Sequence, residues 1–131
     1  MTFNRISLAQ FEIFGLRDGF FYLDGGAMFG VVPKVLWSRK CPPDSKNRIK
    51  LGLNSILINT SKELILVDTG IGTDFEQKFH EFYSVDNKPG LVSVLKKQGY
   101  DPEDINFVIN THLHFDHCGG NTRKSPNQGL V

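Results

Sequence analysis

The stretch INTHLHFDHCGGN, Ile109 to Asn121, constrains this chain more than any other. It places three histidines and an aspartate within residues 112–117. A short apolar run precedes it and Gly119-Gly120 closes it. Such a cluster at the C-terminal end of a strand belongs to an α/β architecture, where sites lie at strand tips. If the chain stays extended past the strand, residues two apart share a side. His112, His114 and Asp116 then face one way, with Leu113 and Phe115 facing the core. His117 breaks the alternation as the chain turns at Cys118-Gly119-Gly120. Imidazole nitrogen and carboxylate oxygen suit zinc, and also iron, manganese or cobalt. Four donors are too many for one small ion that must also hold water. Two imidazoles could serve one ion, with Asp116 and His117 serving a second. Two ions about 3.5–4 Å apart generate a strong nucleophile from water at neutral pH.

The preceding chain alternates β and α patterns. Strands are expected at Phe11–Leu16 and Gly19–Leu23, joined as a hairpin at Arg17-Asp18-Gly19 and ended by Gly25-Gly26. Gly30 and Pro33 argue against a long regular element in AMFGVVPKVLW, and residues 38–48 read as a loop. LGLNSILIN and ELILVDTG form a second hairpin turning at Thr60-Ser61-Lys62. Leu64 to Val67 reads as a strand buried on both faces, ending in Asp68. Phe75, Phe79, Phe82 and Tyr83 then share one face of a helix, capped by Thr73 or Asp74. His80 lies off that face and reads as solvated. Leu91, Val94 and Leu95 mark another helix, with Lys96 and Lys97 at its C-terminus and Gly99 beyond it. Asp101-Pro102 signals a helix start, and Ile105–Asn110 a short strand.

Composition narrows the function classes. The 131 residues carry a net charge of +1 with histidines neutral, which gives no electrostatic reason to expect nucleic acid or an anionic membrane. The 40% hydrophobic content suits one globular domain spanning 1–131, with no linker to a second. Cys41 and Cys118 match no C-x-x-C spacing, so a disulfide framework is not indicated. Without a signal-peptide run or a stretch of about 20 apolar residues, cytoplasm is the expected compartment and a membrane span is not expected.

THLHFDHCGG resembles the H-x-H-x-D-H signature of the metallo-β-lactamase superfamily, and LILVDTGIG resembles the strand-and-Asp motif before it. GFFYLDGGAMFGVVPKVLW and NRIKLGLNSILI are similar to its lactonase-like branch, which includes quorum-quenching acyl-homoserine-lactone hydrolases and organophosphate hydrolases. The resemblance implies the N-terminal half of an αββα sandwich, a mixed sheet with helices on its outer face. It implies two zinc ions, the first on His112 and His114, the second on Asp116 and His117. Asp68 would accept a hydrogen bond that orients a ligand histidine. A metal-bound hydroxide would attack a lactone or other ester, a small-molecule substrate, and Asp116 would shuttle a proton in catalysis. Cys118 would pack beside the site. Phosphodiester or thioester cleavage on the same site is the alternative chemistry.

The family's second half supplies a further histidine, a bridging aspartate and a last histidine, and this sequence has no counterpart to them. His80 precedes the motif and matches none. The chain is therefore expected to be truncated before its C-terminal half. A half-sandwich leaves an apolar face exposed, so association with the missing half or with a second copy is expected. A non-catalytic half-domain that binds metal weakly is the other alternative.

Overall fold

The computed structural model describes residues 5–125 and 129–130. The chain opens with β1 (Arg5–Leu8) and β2 (Phe11–Asp24), then α1 (Gly25–Phe29), α2 (Lys34–Trp37), β3 (Arg48–Asn59) and β4 (Leu64–Val67). It continues with α3 (Gln77–Tyr83), α4 (Leu91–Lys97), β5 (Phe107–Ile109) and α5 (Phe115–Cys118). A two-residue ribbon, β6 (Lys124–Ser125) with β7 (Gly129–Leu130), follows. The first five strands form one mixed sheet in the order β1-β2-β3-β4-β5. All neighbours are antiparallel except β4 and β5, which run parallel. This is the mixed sheet with helices that the sequence implies.

The expected hairpin at Arg17-Asp18-Gly19 is instead a β-bulge inside one strand of 14 residues. Both halves of β2 pair with the same long partner, Glu12 against Asn59 at one end and Asp24 against Arg48 at the other. The turn-type residues are absorbed as the extra residue of the bulge. The bulge also shifts the phase of the strand. Phe14, Leu16 and Asp18 face inward before it, and Gly19 and Phe21 after it.

The inward face carries two apolar clusters. Phe14, Leu16, Leu57 and Leu66 pack under Val94 and Leu95 of α4. Phe21, Leu53 and Ile71 pack with Phe75, Phe79 and Phe115. Burying Val94 or Leu95 stabilises by roughly 1.5–3 kcal/mol each, which is what fastens this short helix to the sheet. Gly99, at φ +88°, ends α4 as expected.

Other expectations shift by local causes. AMFGVVPKVLW forms two short helices, and Asp24 caps the first by accepting the Ala27 N–H at 2.8 Å. Helix α3 starts after Glu76 rather than Thr73 or Asp74, because Phe75 stays outside and stacks on Phe79 at 4.0 Å. Asp101-Pro102 opens only a single 3-10 turn, Pro102–Asp104. Strand β4 is half-buried, with Leu66 its one fully buried residue. Strand β5 is exposed along its length. Among the described residues no helix is long and apolar enough to cross a membrane.

Candidate metal centre

Parallel strands β4 and β5 end side by side, and the site grows from their tips. The Asp68 N–H donates to the Ile109 carbonyl at 2.9 Å, which carries the pairing one step past β4. Asp68 is 6% exposed and holds a left-handed backbone, φ +59°. That conformation is unusual for a residue with a Cβ and marks a position fixed by its surroundings. The surroundings are donors. The Thr111 N–H reaches Asp68 Oδ1 at 2.8 Å, the Thr111 hydroxyl reaches Oδ2 at 2.9 Å, and His117 Nδ1 lies 2.8 Å from Oδ2. Burial alone would raise the Asp68 carboxyl. The hydrogen bonds from His117 and Thr111 outweigh it and hold the group below the usual carboxylate range.

An ionised Asp68 requires His117 to present a proton at Nδ1. In the neutral ring Nε2 is then the lone-pair nitrogen, the arrangement in which a carboxylate orients an imidazole toward a metal. Nε2 sits 3.3 Å from Asp116 Oδ2. The His112 ring centroid is 4.0 Å from that of His117 and 4.6 Å from that of His114. Three imidazoles and one carboxylate therefore share a patch at the strand tips. His112 and His114 are exposed, and Asp116 and His117 are half-buried.

Backbone contacts lock the segment that carries these groups. The His117 carbonyl accepts the Thr69 N–H at 2.8 Å and the Asn110 amide at 3.1 Å. Asn110 and Asn121 bind each other reciprocally at 2.7 and 3.3 Å, and Asn121 also accepts the Thr69 hydroxyl. The Gly119 N–H donates to the Gly70 carbonyl at 3.0 Å. A Cβ on Gly72 would stand 2.2 Å from the Gly119 carbonyl oxygen, so the two glycine stretches meet backbone to backbone. Thr69, Thr111, Asn110 and Asn121 were not marked as supports in the sequence. Their one sequence trace is that they flank the two motifs.

The expected alternation fails after His114. Residues 115–118 turn into α5, so Asp116 and His117 leave the extended phase of His112 and His114. Phe115 does enter the core, edge-on to Phe21 at 6.0 Å and to Phe79 at 5.3 Å. Leu113 does not: it is 78% exposed, because the strand has ended and nothing among the described residues covers its side. Cys118 is a free, half-buried thiol, and its backbone bridges to Gly70. His80 packs edge-on to Phe79 on α3 rather than entering the patch.

The donor set suits zinc in kind, with nitrogen and carboxylate oxygen and an imidazole already oriented by Asp68. Yet among the described residues no group of three or more His, Cys, Asp or Glu side chains is set to hold a metal ion. The fit thus lies in donor chemistry and neighbourhood rather than in a finished coordination shell.

Comparison with known proteins agrees with this architecture. The sequence profile of the metallo-beta-lactamase superfamily matches residues 49–123, more than half of the chain. The chain belongs to that superfamily. An N-acyl homoserine lactonase of Bacillus cereus is 38% identical over 85 residues, covering 57% of this chain and 34% of the lactonase. A crystal structure described as a probable metal-dependent hydrolase from Staphylococcus aureus superposes with a TM-score of 0.84 at 37% identity, covering 91% of this chain and 43% of that one. The structure of AidC, a dizinc quorum-quenching lactonase in complex with a product, N-hexnoyl-L-homoserine, matches with a TM-score of 0.65 at 26% identity, over 89% of this chain and 38% of that one. The chain spans about a third of the length of the curated relatives it matches.

Proposed function

We propose that this chain carries the zinc-binding N-terminal portion of a hydrolase that opens a lactone or a related ester. The observation that carries this reading is the Asp68–His117 pair. A buried carboxylate holds Nδ1 of one imidazole at 2.8 Å, while two further imidazoles stand beside that ring. His112 and His114 would hold one ion, and Asp116 and His117 a second. Zinc, when bound, supplies Lewis acidity that activates water and polarises a carbonyl. Asp68 keeps His117 in one tautomer and one orientation throughout. Asp116, 20% exposed by its side chain, would pass a proton to a leaving alkoxide. Similarity to the N-acyl homoserine lactonases supports a lactone as the substrate class.

An apolar groove favours a substrate with an apolar arm. Tyr22, Met28, Phe82 and Tyr83 line a cavity of about 440 Å³ together with Lys46 and Arg48. Tyr83 also packs 4.9 Å from Phe115, the residue between His114 and Asp116. Tyr83 therefore links the groove to α5, the element that carries Asp116 and His117.

Zinc titration followed by a lactone ring-opening assay tests the reading. The wild-type protein binds zinc, and His117→Ala and His112→Ala weaken binding at least tenfold. Equal affinity in these variants would remove the site assignment. Absence of turnover of lactones and esters by the zinc-loaded protein would remove the hydrolase. A second reading, a module that binds metal weakly and does not catalyse, is favoured by the lack of a ready three-donor group among the described residues. Zinc binding without hydrolysis would select it.

A further inference from the structure

We propose that Asp18 is a positioning residue for the histidine segment, its buried carboxyl seated beneath the Gly70 turn. This rests on the metal-centre reading only for why that segment matters; the placement of Asp18 stands on its own. The alternation of β2 turns Asp18 inward in phase with Phe14 and Leu16, and it is 3% exposed. Among the described residues its Oδ1 has no hydrogen-bond partner. The carboxyl lines a cavity of about 120 Å³ with Thr69, Thr73, Asn87 and Arg123. Its Oδ2 lies 2.9 Å from where a Cβ on Gly70 would stand, so this side chain sets how near the turn comes to the sheet.

That turn is the one that grips the candidate centre. Thr69 donates to the His117 carbonyl, and Gly70 accepts from Gly119. A change beneath Gly70 therefore reaches the backbone on both sides of Cys118. Ionisation is such a change, because a buried carboxylate without a partner draws water or a cation toward it. Burial is the main cause that pushes the Asp18 carboxyl up to about 6, and its own backbone N–H offsets part of the rise.

The charged groups that line the cavity or adjoin a lining residue in sequence are Arg17, Asp68, Asp74, Asp86, Lys88, Arg123 and Lys124. Leu53 and Asn54 of β3 and Leu91 and Val92 of α4 bring no charge. Of these charged groups only Arg123 lines the cavity, and its guanidinium also lies 3.5 Å from Glu103. Arg17 instead donates to Asn54.

The folded carboxyl holds its proton more tightly than the unfolded one, whose value is 3.8. Its contribution to stability is therefore complete below that value and is lost as pH rises through about 6. The test compares the full chain with Asp18→Asn from pH 4 to 8. The unfolding equilibrium constant of the wild type, relative to Asp18→Asn, rises about 50-fold between pH 4 and 6.5 and levels off above about pH 7. Hydrogen-exchange protection of the Thr69 and Gly119 amides, corrected for intrinsic rate, falls over the same range in the wild type and not in Asp18→Asn. Parallel profiles in the two proteins would overturn the proposal. Should the variant fail to fold, carbon-detected titration of the wild-type Asp18 carboxyl decides. A midpoint near 6 supports the proposal, and one near 4 overturns it. None of these readouts involves zinc or substrate, so a failure of zinc binding sinks the functional reading and leaves this one standing.

Discussion

The two faces of the five-stranded sheet are both apolar, yet only one is closed. On the inner face Phe14, Leu16, Phe21, Leu53, Leu57 and Leu66 are buried beneath α3, α4 and Phe115. On the outer face Ile6, Ile13, Ile58, Ile65 and Phe107 stand in register as a row across all five strands. Ile56, Val67 and Ile109 form a second row beside it. Ile6 is 56% exposed, Phe107 52% and Ile56 43%. Burial of a strand residue thus depends on a covering layer as much as on its own hydrophobicity. The inner face has short helices from this chain over it. The outer face presents the kind of contiguous apolar surface that promotes association.

Substitutions can break this contrast. Leu16→Ala, at 0% exposure, is expected to cost roughly 2–5 kcal/mol, and Ile6→Ala on the outer face under about 1 kcal/mol, as read by urea unfolding. Similar costs for both would show that the outer face is covered in solution. Asp68→Ala removes the carboxylate behind His117 and is expected to weaken zinc binding about 10- to 100-fold, measured by chelator competition. Asp68 also sets an acid limit. Its folded carboxyl lies below the unfolded value of 3.8, so its stabilisation is present above that value and lost as pH falls through the lower one. Thermal midpoints between pH 2 and 5 should fall more steeply in the wild type than in Asp68→Asn. The smallest effect on stability is expected from Ile56→Lys, within about 1 kcal/mol, because the site is open. Its larger consequence is reduced self-association in sedimentation velocity. An unchanged distribution would mean that the outer rows do not drive contacts between copies.

What the sequence disclosed follows the same division between local and distant causes. Strand β4 with Asp68 at its tip, helix α4 with its lysines and Gly99, and β5 leading into the histidines were all legible, because each is specified within a few residues. The Arg17-Asp18-Gly19 bulge was not. Three turn-forming residues read as a turn, and only the continuous pairing of β2 along β3 makes them a bulge. The two-sided burial expected of β4 failed because a run of apolar residues does not say what lies above it. In the candidate centre the donors His112, His114, Asp116 and His117 stood out by type and spacing. Their supports did not, since Thr69 meets His117 and Thr111 meets Asp68 only after 48 and 43 residues of chain have folded. Leu113 was misplaced for a simpler reason, that β5 has already ended at Ile109 and the residue stands outside the sheet.

The seam between Thr69–Gly72 and His117–Gly120 is built from main chain, with no side chain free to adjust at Gly72 against Gly119. Swapping one stretch for a relative's version while keeping the other would ask two independently shaped backbones to fit within tenths of an ångström. In chimeras and shuffled libraries the two stretches therefore have to travel together, and crossovers placed between them should be enriched among the misfolded clones.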